Sequence, residues 1–419
     1  MSTTSLRYPA HPPSTPLKAV AAPVGVVIVG AGLAGLTAAE ALRAAQFNGP
    51  ITLLGDEACG PYQRPPLSKD WLLGDLAASS LALRDPEKLL RLQIDMRTGV
   101  AVASIDRQAC HVVLGSGEVL PYAGLVLATG SRPRTLALPG ANAPGVLTLR
   151  SPADATLLSK GLARCAAQMQ PLVVIGGGFI GLEVAATARS MGVAVTVLEA
   201  APRLLSRALA PVMSDWFAHL HRSHGVQLLL GAAAEQLETG PDGWVRGVRL
   251  ASGQLLPAGL VLVGVGTVPN DALAQAAGLP CDRGIVVDAC SRTADPLIVA
   301  AGDCTVRRQP DGSLLRLESV QNATEQAKGA AAALLGQRRP FGTTPWFWSD
   351  QYGHKLQMVG LSAGADQSVP IGDMSGSRFC VEHYRQNQLL AVDCVNSPRD
   401  FLAARKRMDQ PNDVLPVGS

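Results

Sequence analysis

Charge is scarce in this chain and nearly balanced. Only 16% of its 419 residues are Asp, Glu, Lys or Arg, the formal net charge is +3, and no run of five or six basic residues occurs. This argues against a nucleic-acid binder, which needs a dense positive surface to displace counterions from phosphate. Aromatic residues make up only 4%. The eight cysteines, Cys59, Cys110, Cys165, Cys281, Cys290, Cys304, Cys380 and Cys394, lie far apart, with no CxxC pair and no zinc-ligand spacing. Reduced, mostly buried thiols in a cytoplasmic protein are therefore expected, and no metal site. His219, His221, His224 and His354 lack a regular spacing or a set of Cys and carboxylate partners. The first three read as a solvated helix end.

Membrane spans are missing as well. Two uncharged stretches, Ala19 to Ala39 and Cys165 to Leu182, have the length of a span. Each, however, joins a buried-strand sequence to a glycine-rich turn and an alanine-rich helix, so its apolar length belongs to two elements in succession. The first also lacks the basic segment and cleavage site of a signal peptide.

What is present is a hydrophobic content of 47% with 43 glycines, a composition suited to parallel strands covered by helices. The length calls for two or three domains. Residues 1–23, rich in Ser, Thr, Pro and Ala, read as a flexible extension. A strand at Val26 to Val29 then enters Gly30-Ala-Gly-Leu-Ala-Gly35, a helix runs through Leu42, and a strand at Ile51 to Leu54 ends beside Asp56. The same grammar returns: Leu172 to Ile175, then Gly176-Gly-Gly-Phe-Ile-Gly181, a helix to about Ser190, and a strand from Val193 to Leu198 closed by Glu199. Further strands are expected around Val100 to Leu114, Gly124 to Thr129, Val226 to Leu230, Gly247 to Leu250 and Leu260 to Val265, with helical character near Met213 to His221. From about Arg339, strand-like stretches at Gln357 to Leu361, Arg378 to Tyr384 and Gln388 to Val395 suggest an α+β cap.

A lone GxGxxG is a weak signal, but two of them between strand and helix are not. Gly30 and Gly176 allow a tight turn, Gly32 and Gly178 let backbone approach a pyrophosphate, and Gly35 and Gly181 let helix and strand pack closely. The phosphate sits on exposed N–H groups at a positive helix end. An acid should follow about 20 residues on to hold a ribose diol, and Asp56 and Glu199 stand there. A carboxylate at Glu199 suits the 2′-hydroxyl of NADH and repels the extra phosphate of NADPH, although Arg203 is nearby. Two units imply two dinucleotides, and FAD in the first with NAD in the second makes chemical sense, since hydride passes from nicotinamide to flavin.

At these motifs the chain resembles the FAD-dependent pyridine nucleotide reductases, and within them the ferredoxin reductases, from about Val24 to about Arg407. Pro61-Tyr-Gln-Arg-Pro-Pro-Leu-Ser-Lys69 resembles the family's flavin-side segment, Ala128-Thr-Gly-Ser-Arg-Pro-Arg134 its crossover segment and Val299-Ala-Ala-Gly-Asp303 its second FAD motif. Leu317-Glu-Ser-Val-Gln-Asn-Ala323 and Pro345-Trp-Phe-Trp-Ser-Asp-Gln351 favour the ferredoxin-reductase branch. The resemblance implies an α/β fold with two Rossmann-like domains in the glutathione reductase-like arrangement and a C-terminal α+β cap. Residues 24–145 and 266–338 would bind FAD, 146–265 would bind NAD, and 339–419 would form the cap.

The same resemblance implies FAD contacts from Arg64, Lys69, Val102, Thr129, Gly130, Arg132, Arg150, Asp303 and Val320, and NAD contacts from Ile180, Glu183 and Gly266 besides the glycines and Glu199. Lys69 and Glu183 would meet beside the flavin, the cation stabilising developing negative charge and the carboxylate orienting the carboxamide. Trp348, rather than Trp346, would lie against the flavin edge as the third candidate catalytic residue. Disulfide reductases of this architecture need a redox cysteine pair just beyond the first unit, and Pro61 to Lys69 holds none. The implied acceptor is thus a [2Fe–2S] ferredoxin serving a cytochrome P450 or a Rieske-type oxygenase. Such a partner is acidic and docks on basic residues such as Arg307 and Arg308. A monomer or weak homodimer is expected. An NADH-dependent reductase of small molecules, or a relative of apoptosis-inducing factor acting partly as an interaction protein, stays open.

Overall fold

A computed structural model describes residues 25–409, so the extension expected over residues 1–23 lies outside the described residues. Strand β1 (Val26–Val29) enters the first glycine turn, helix α1 (Leu33–Ala44) leaves it, and strand β2 (Ile51–Leu54) runs parallel to β1 with Val26 opposite Ile51. All four residues of β1 are buried. The strand is central in a five-stranded sheet of order Ile298–Ala300, Gly124–Leu127, β1, β2, Ile94–Arg97, parallel throughout. Its unbroken Val and Ile run matches a position covered on both faces.

The plan is repeated. Strand β3 (Leu172–Ile175), helix α2 (Phe179–Ser190) and strand β4 (Val195–Glu199) belong to a second five-stranded parallel sheet of order Gln227–Leu230, β4, β3, Leu260–Val263, Val146–Leu147. A three-stranded antiparallel meander interrupts each unit at the same point, over residues 102–121 before Gly124–Leu127 and over residues 234–257 before Leu260–Val263.

The glycines explain why both turns close alike. Gly30 and Gly176 have φ of +110° and +111°, and a Cβ there would lie 2.1 Å from the Ala128 oxygen and 2.4 Å from the Gly264 oxygen. A Cβ on Gly35 would stand 1.9 Å from the Gly30 oxygen, and one on Gly181 would stand 2.3 Å from the Gly176 oxygen. Neither turn has room for a side chain at these places.

Helix α3 (Pro211–Ser223) covers the second sheet through Met213 and Phe217. Helix α4 (Val320–Leu334) returns to the first unit, where Ala323, Ala327, Ala330 and Ala331 join the core that holds Ala34, Ala38 and Ala39 of α1. Strand β5 (Trp346–Gln351) then opens a five-stranded antiparallel sheet of order β5, His354–Gly360, Gln388–Val395, Phe379–Arg385, Gln367–Gly372. Helix Pro398–Asp409 packs on this sheet through Phe401 and Ala404. The strand at Gln367–Gly372 escaped the sequence reading because Pro370 interrupts it, and a proline is tolerated there only because the strand lies at the sheet edge. No helix among the described residues is long and apolar enough to cross a membrane.

The glycine geometry makes a stability prediction. Gly35→Ala should cost roughly 1–3 kcal/mol through overpacking, whereas Gly32→Ala, where a Cβ meets nothing within 4 Å, should cost less than about 1 kcal/mol. Urea denaturation of the cofactor-free protein separates the two.

Candidate active site

Gly32 and Gly178 are the N-cap residues of α1 and α2, and neither helix has a side-chain cap. A Cβ on either glycine would meet nothing within 4 Å. Each helix therefore presents its first N–H groups to an open cradle, which fits a pyrophosphate. The acids are not equivalent, contrary to the expectation from spacing. Val29 pairs with Leu54 and Ile175 with Leu198, so the register position that Glu199 fills in the second unit is held by Gly55 in the first. Asp56 lies one residue further on and is exposed. The neighbouring turn residue changes in step. Gly177 leaves room for Glu199, whose Oε2 accepts its N–H at 2.7 Å. In the first unit the space is filled by Ala31, whose Cβ would lie 2.7 Å from a Cβ at position 55.

In the second unit Glu199 also accepts the N–H of Ala201 at 2.7 Å, and an ionised carboxylate retains lone pairs for a ribose diol. Arg203 is held within its own loop, donating to the carbonyl oxygens of Leu209 (2.6 Å) and Ser206 (2.9 Å) and to Ser214 Oγ (2.8 Å). It is not free to meet a 2′-phosphate. Ile180, in the first turn of α2, is 41% exposed. Gly266 has φ +98°, and Arg207 Nη2 lies 3.2 Å from where its Cβ would be. The sequence reading missed Arg207. It makes no hydrogen bond among the described residues and is exposed beside a predicted NAD-contacting position.

Residues far apart in the chain converge in the first unit. Arg150 Nη2 pairs with Asp303 Oδ2 at 3.0 Å, and Ser131 Oγ donates to the same oxygen at 3.2 Å. The Arg150 guanidinium also lies 3.5 Å from the Cβ position of Gly130. Its Nε is buried without a partner among the described residues. Arg64 donates to the Arg150 carbonyl at 2.7 Å and pairs with Glu57 at 2.9 Å. Thr129 Oγ1 donates to the Asn270 carbonyl at 2.6 Å, while Arg132 donates to Asn270 Oδ1 at 3.0 Å. Val320 begins α4, capped by Ser319. Gln326, also missed, braces the turn before Asp303 by accepting from Gly302 N at 2.8 Å and Thr305 Oγ1 at 2.9 Å. Val102, half-buried at the start of the first meander, packs against the cluster that holds Val29 and Leu54.

Lys69 and Glu183 meet. Lys69 Nζ lies 2.9 Å from Glu183 Oε2, with the two side chains 18% and 7% exposed. Ser68 Oγ donates to Oε2 at 2.5 Å and Ser349 Oγ to Oε1 at 2.6 Å. Beyond Ser349 the polar contacts continue through Gln351 (3.1 Å) to His221 (2.7 Å) and on to Tyr352 (3.3 Å). His221 is fully buried, which corrects the reading of a solvated helix end. The stripe of α3 that faces the C-terminal sheet takes His221 inward, while His219 and His224 stay exposed and His224 stacks on Tyr352 at 3.8 Å. Trp348 lies 5.7 Å from Trp346, and Phe347 packs 4.8 Å from Phe179 of α2. Both tryptophans are half-buried, and Trp346 Nε1 is buried without a partner among the described residues.

All eight cysteines are free, and Cys59, beside the Pro61 to Lys69 segment, has its thiol pushed up by desolvation and by the Glu57 carboxylate. That is the reverse of what a reactive thiol needs. No metal-binding group of His, Cys, Asp or Glu occurs among the described residues. Arg307, expected on an exposed docking face, is instead buried over the Phe341 ring at 3.8 Å, with Nη1 unpartnered among the described residues. Arg308, next along the strand, is exposed.

Comparison with known proteins agrees with this arrangement. The model of the pyridine nucleotide-disulphide oxidoreductase family matches residues 24–327, and a reductase C-terminal model matches residues 346–417. The chain is 47% identical to rhodocoxin reductase of Rhodococcus erythropolis, over 91% of this chain and 89% of that protein. It is 43% identical to putidaredoxin reductase of Pseudomonas putida, over 94% and 92%. The solved covalent complex of putidaredoxin reductase with putidaredoxin superposes with a TM-score of 0.88 at 42% identity, covering 92% of this chain and 93% of that one. The chain belongs to the pyridine nucleotide-disulphide oxidoreductase family, in its ferredoxin reductase branch. It is an oxidoreductase whose cofactors are FAD and NAD(H).

Burial holds the His221 pKa at about 4 against an ordinary 6.5, with a smaller push from His224 and an opposing one from the Gln351 hydrogen bond. The unfolded chain therefore takes up this proton first. The stability that His221 contributes is complete above about pH 6.5 and is lost as pH falls towards 4, up to about 3 kcal/mol. Urea titrations across that interval should show the loss, and His221→Gln should flatten it.

Proposed function

We propose that this chain is an NADH:ferredoxin reductase, with FAD held by residues 24–145 and 266–338, NADH by residues 146–265, and the C-terminal sheet, within the domain expected over residues 339–419, closing over the junction. When bound, FAD takes two electrons from NADH as hydride and delivers them singly to a one-electron acceptor. The backbone cradles at Gly30, Gly32 and Gly35 and at Gly176, Gly178 and Gly181 hold the two pyrophosphates. Arg64, Arg150, Thr129, Gly130, Arg132, Asp303 and Val320 bind along FAD, with Asp56 on its ribose and Val102 on its adenine. Ile180, Glu199 and Gly266 hold NADH, and the immobilised Arg203 leaves the diol of NADH as the group recognised.

Lys69 supplies a fixed cation where negative charge grows, and Glu183 orients the carboxamide. Trp348 shields the flavin edge from water. The observation that carries this reading is a pair of matching open cradles in one chain, with the half-buried Lys69 paired to the buried Glu183 and so joining the segment after the first to the helix of the second.

The acceptor is a [2Fe–2S] ferredoxin of a cytochrome P450 or Rieske-type oxygenase. Support comes from the relatives named above and from the lack of a cysteine pair near Lys69. The protein acts in the cytoplasm as a monomer or weak homodimer and docks its acidic partner electrostatically, through exposed cations such as Arg308.

Anaerobic NADH should bleach the flavin, and a [2Fe–2S] ferredoxin added next should be reduced; a flavin left oxidised by NADH refutes the reading. Arg308→Glu should slow ferredoxin turnover about three- to tenfold at low salt, with the difference shrinking as salt rises. Arg307→Ala should leave that salt dependence unchanged and cost about 1–2 kcal/mol in stability, because its guanidinium stacks on Phe341.

A further inference from the structure

The direction of every hydrogen bond beyond Glu183 follows from its partners. Lys69 has only protons to give, so the Glu183 oxygen beside it accepts. The other oxygen, Oε1, accepts from Ser349 Oγ at 2.6 Å. Ser349 has then spent its single proton and can only accept from Gln351 Nε2, at 3.1 Å. The Gln351 carbonyl oxygen is left facing His221 Nε2 at 2.7 Å, so that nitrogen carries hydrogen. A neutral imidazole protonated at Nε2 has its lone pair on Nδ1, which accepts from the Tyr352 hydroxyl at 3.3 Å. Turning the Gln351 amide over would require Ser349 to donate to it and abandon Glu183. Ser349, Gln351 and His221 are at most 2% exposed, so bulk solvent does not reach them.

We propose that Ser349, Gln351, His221 and Tyr352 are positioning residues whose hydrogen bonds all run toward Glu183, so that the charge on Glu183 selects the tautomer of His221 while the chain holds the carboxylate against Lys69. The chain spans β5 and α3 and ends at Tyr352, stacked beneath the exposed His224. The charged or titratable groups around it are Lys69 and Glu183 at the inner end and His224 at the outer, with Arg189 of α2 acting on Tyr352. Burial keeps His221 neutral above a pKa of about 4, so its tautomer is set by hydrogen bonds at working pH. The role in the reaction rests on the reading that Glu183 orients the nicotinamide; the direction of the chain does not.

The test is nitrogen NMR of the flavoprotein labelled with 15N-histidine, His221 being assigned by its absence in His221→Gln. The wild type should show the Nε2–H tautomer without titration from about pH 5.5 to 8. Glu183→Gln should reverse it. The new amide must keep its oxygen toward Lys69 and turn its NH2 toward Ser349, after which Ser349 donates to Gln351, Gln351 donates to His221 Nε2, and the proton moves to Nδ1. Adding Ser349→Ala should abolish the effect, so that His221 is alike in Ser349→Ala and in the double variant. An Nδ1–H tautomer in the wild type, or an unchanged Nε2–H tautomer in Glu183→Gln, overturns the proposal.

Ser349→Ala and Gln351→Leu should each slow flavin reduction by NADH about tenfold at unchanged FAD content, and an unaltered rate in both would remove the positioning role. A protein that shows the tautomer switch but reduces no ferredoxin would fault the assigned acceptor and leave the chain standing.

Discussion

A single buried carboxylate ties the three parts of the molecule together. Glu183 belongs to α2 of the second unit, its cation and one hydroxyl come from Lys69 and Ser68 of the first unit, on the stretch that follows β2, and its other hydroxyl comes from Ser349 of β5. Removing a charge from water costs several kcal/mol unless a counter-charge and hydrogen bonds replace the lost hydration. Here the replacement is complete only when all three parts are docked. Thr187, one turn further along α2, donates to the Ser68 carbonyl at 3.0 Å and secures the same contact. The charged pair is thus assembled by the tertiary fold, and its geometry is as rigid as the packing around it.

The two dinucleotide units show how one backbone plan serves two recognition tasks. Their glycine turns are nearly superimposable in conformation, because the clashes a Cβ would make are with backbone oxygens that the plan itself puts there. The difference lies in a coupled exchange: Ala31 with Gly55 in the first unit, Gly177 with Glu199 in the second. A side chain is present on one side of the contact or the other and never on both. In the second unit the carboxylate at the strand end is braced by the turn's own N–H, which fixes its orientation before any ligand arrives. In the first unit the acid moves one residue outward to Asp56 and stands exposed. The carboxylate at the strand end is thereby held by two backbone N–H groups in the second unit, while Asp56 in the first points from an exposed position.

Much of the fold was legible in the sequence. Strand, turn and helix at the fingerprints, the doubling of the unit, and the strands at Gly124–Leu127, Leu260–Val263 and Gln388–Val395 came from local pattern. Helix Pro152–Gln168 was passed over, although Ser151 and Asp154 form the reciprocal capping box that announces such a helix. His221 and Arg307 were misread for a different reason. Both are polar residues on elements with a polar rim, and their burial is decided by the C-terminal sheet lying over α3 and by Phe341 lying over the guanidinium.

What the sequence by itself determined is the set of positions where backbone geometry admits only one residue. A turn that must place a carbonyl within about 2 Å of a Cβ site demands glycine wherever it occurs, so the two cradles and the class of ligand they take were readable at once. The lack of a cysteine pair near Lys69 was equally visible. Only the tertiary structure decided which charges meet, which are neutralised and which way the hydrogen bonds run. Lys69, Glu183, Ser349 and His221 are separated by 38 to 128 residues between chain neighbours in that set, and no local preference reports on contacts of that range. The direction of the Glu183 chain comes from a count of donors and acceptors that exists only once burial has excluded bulk solvent.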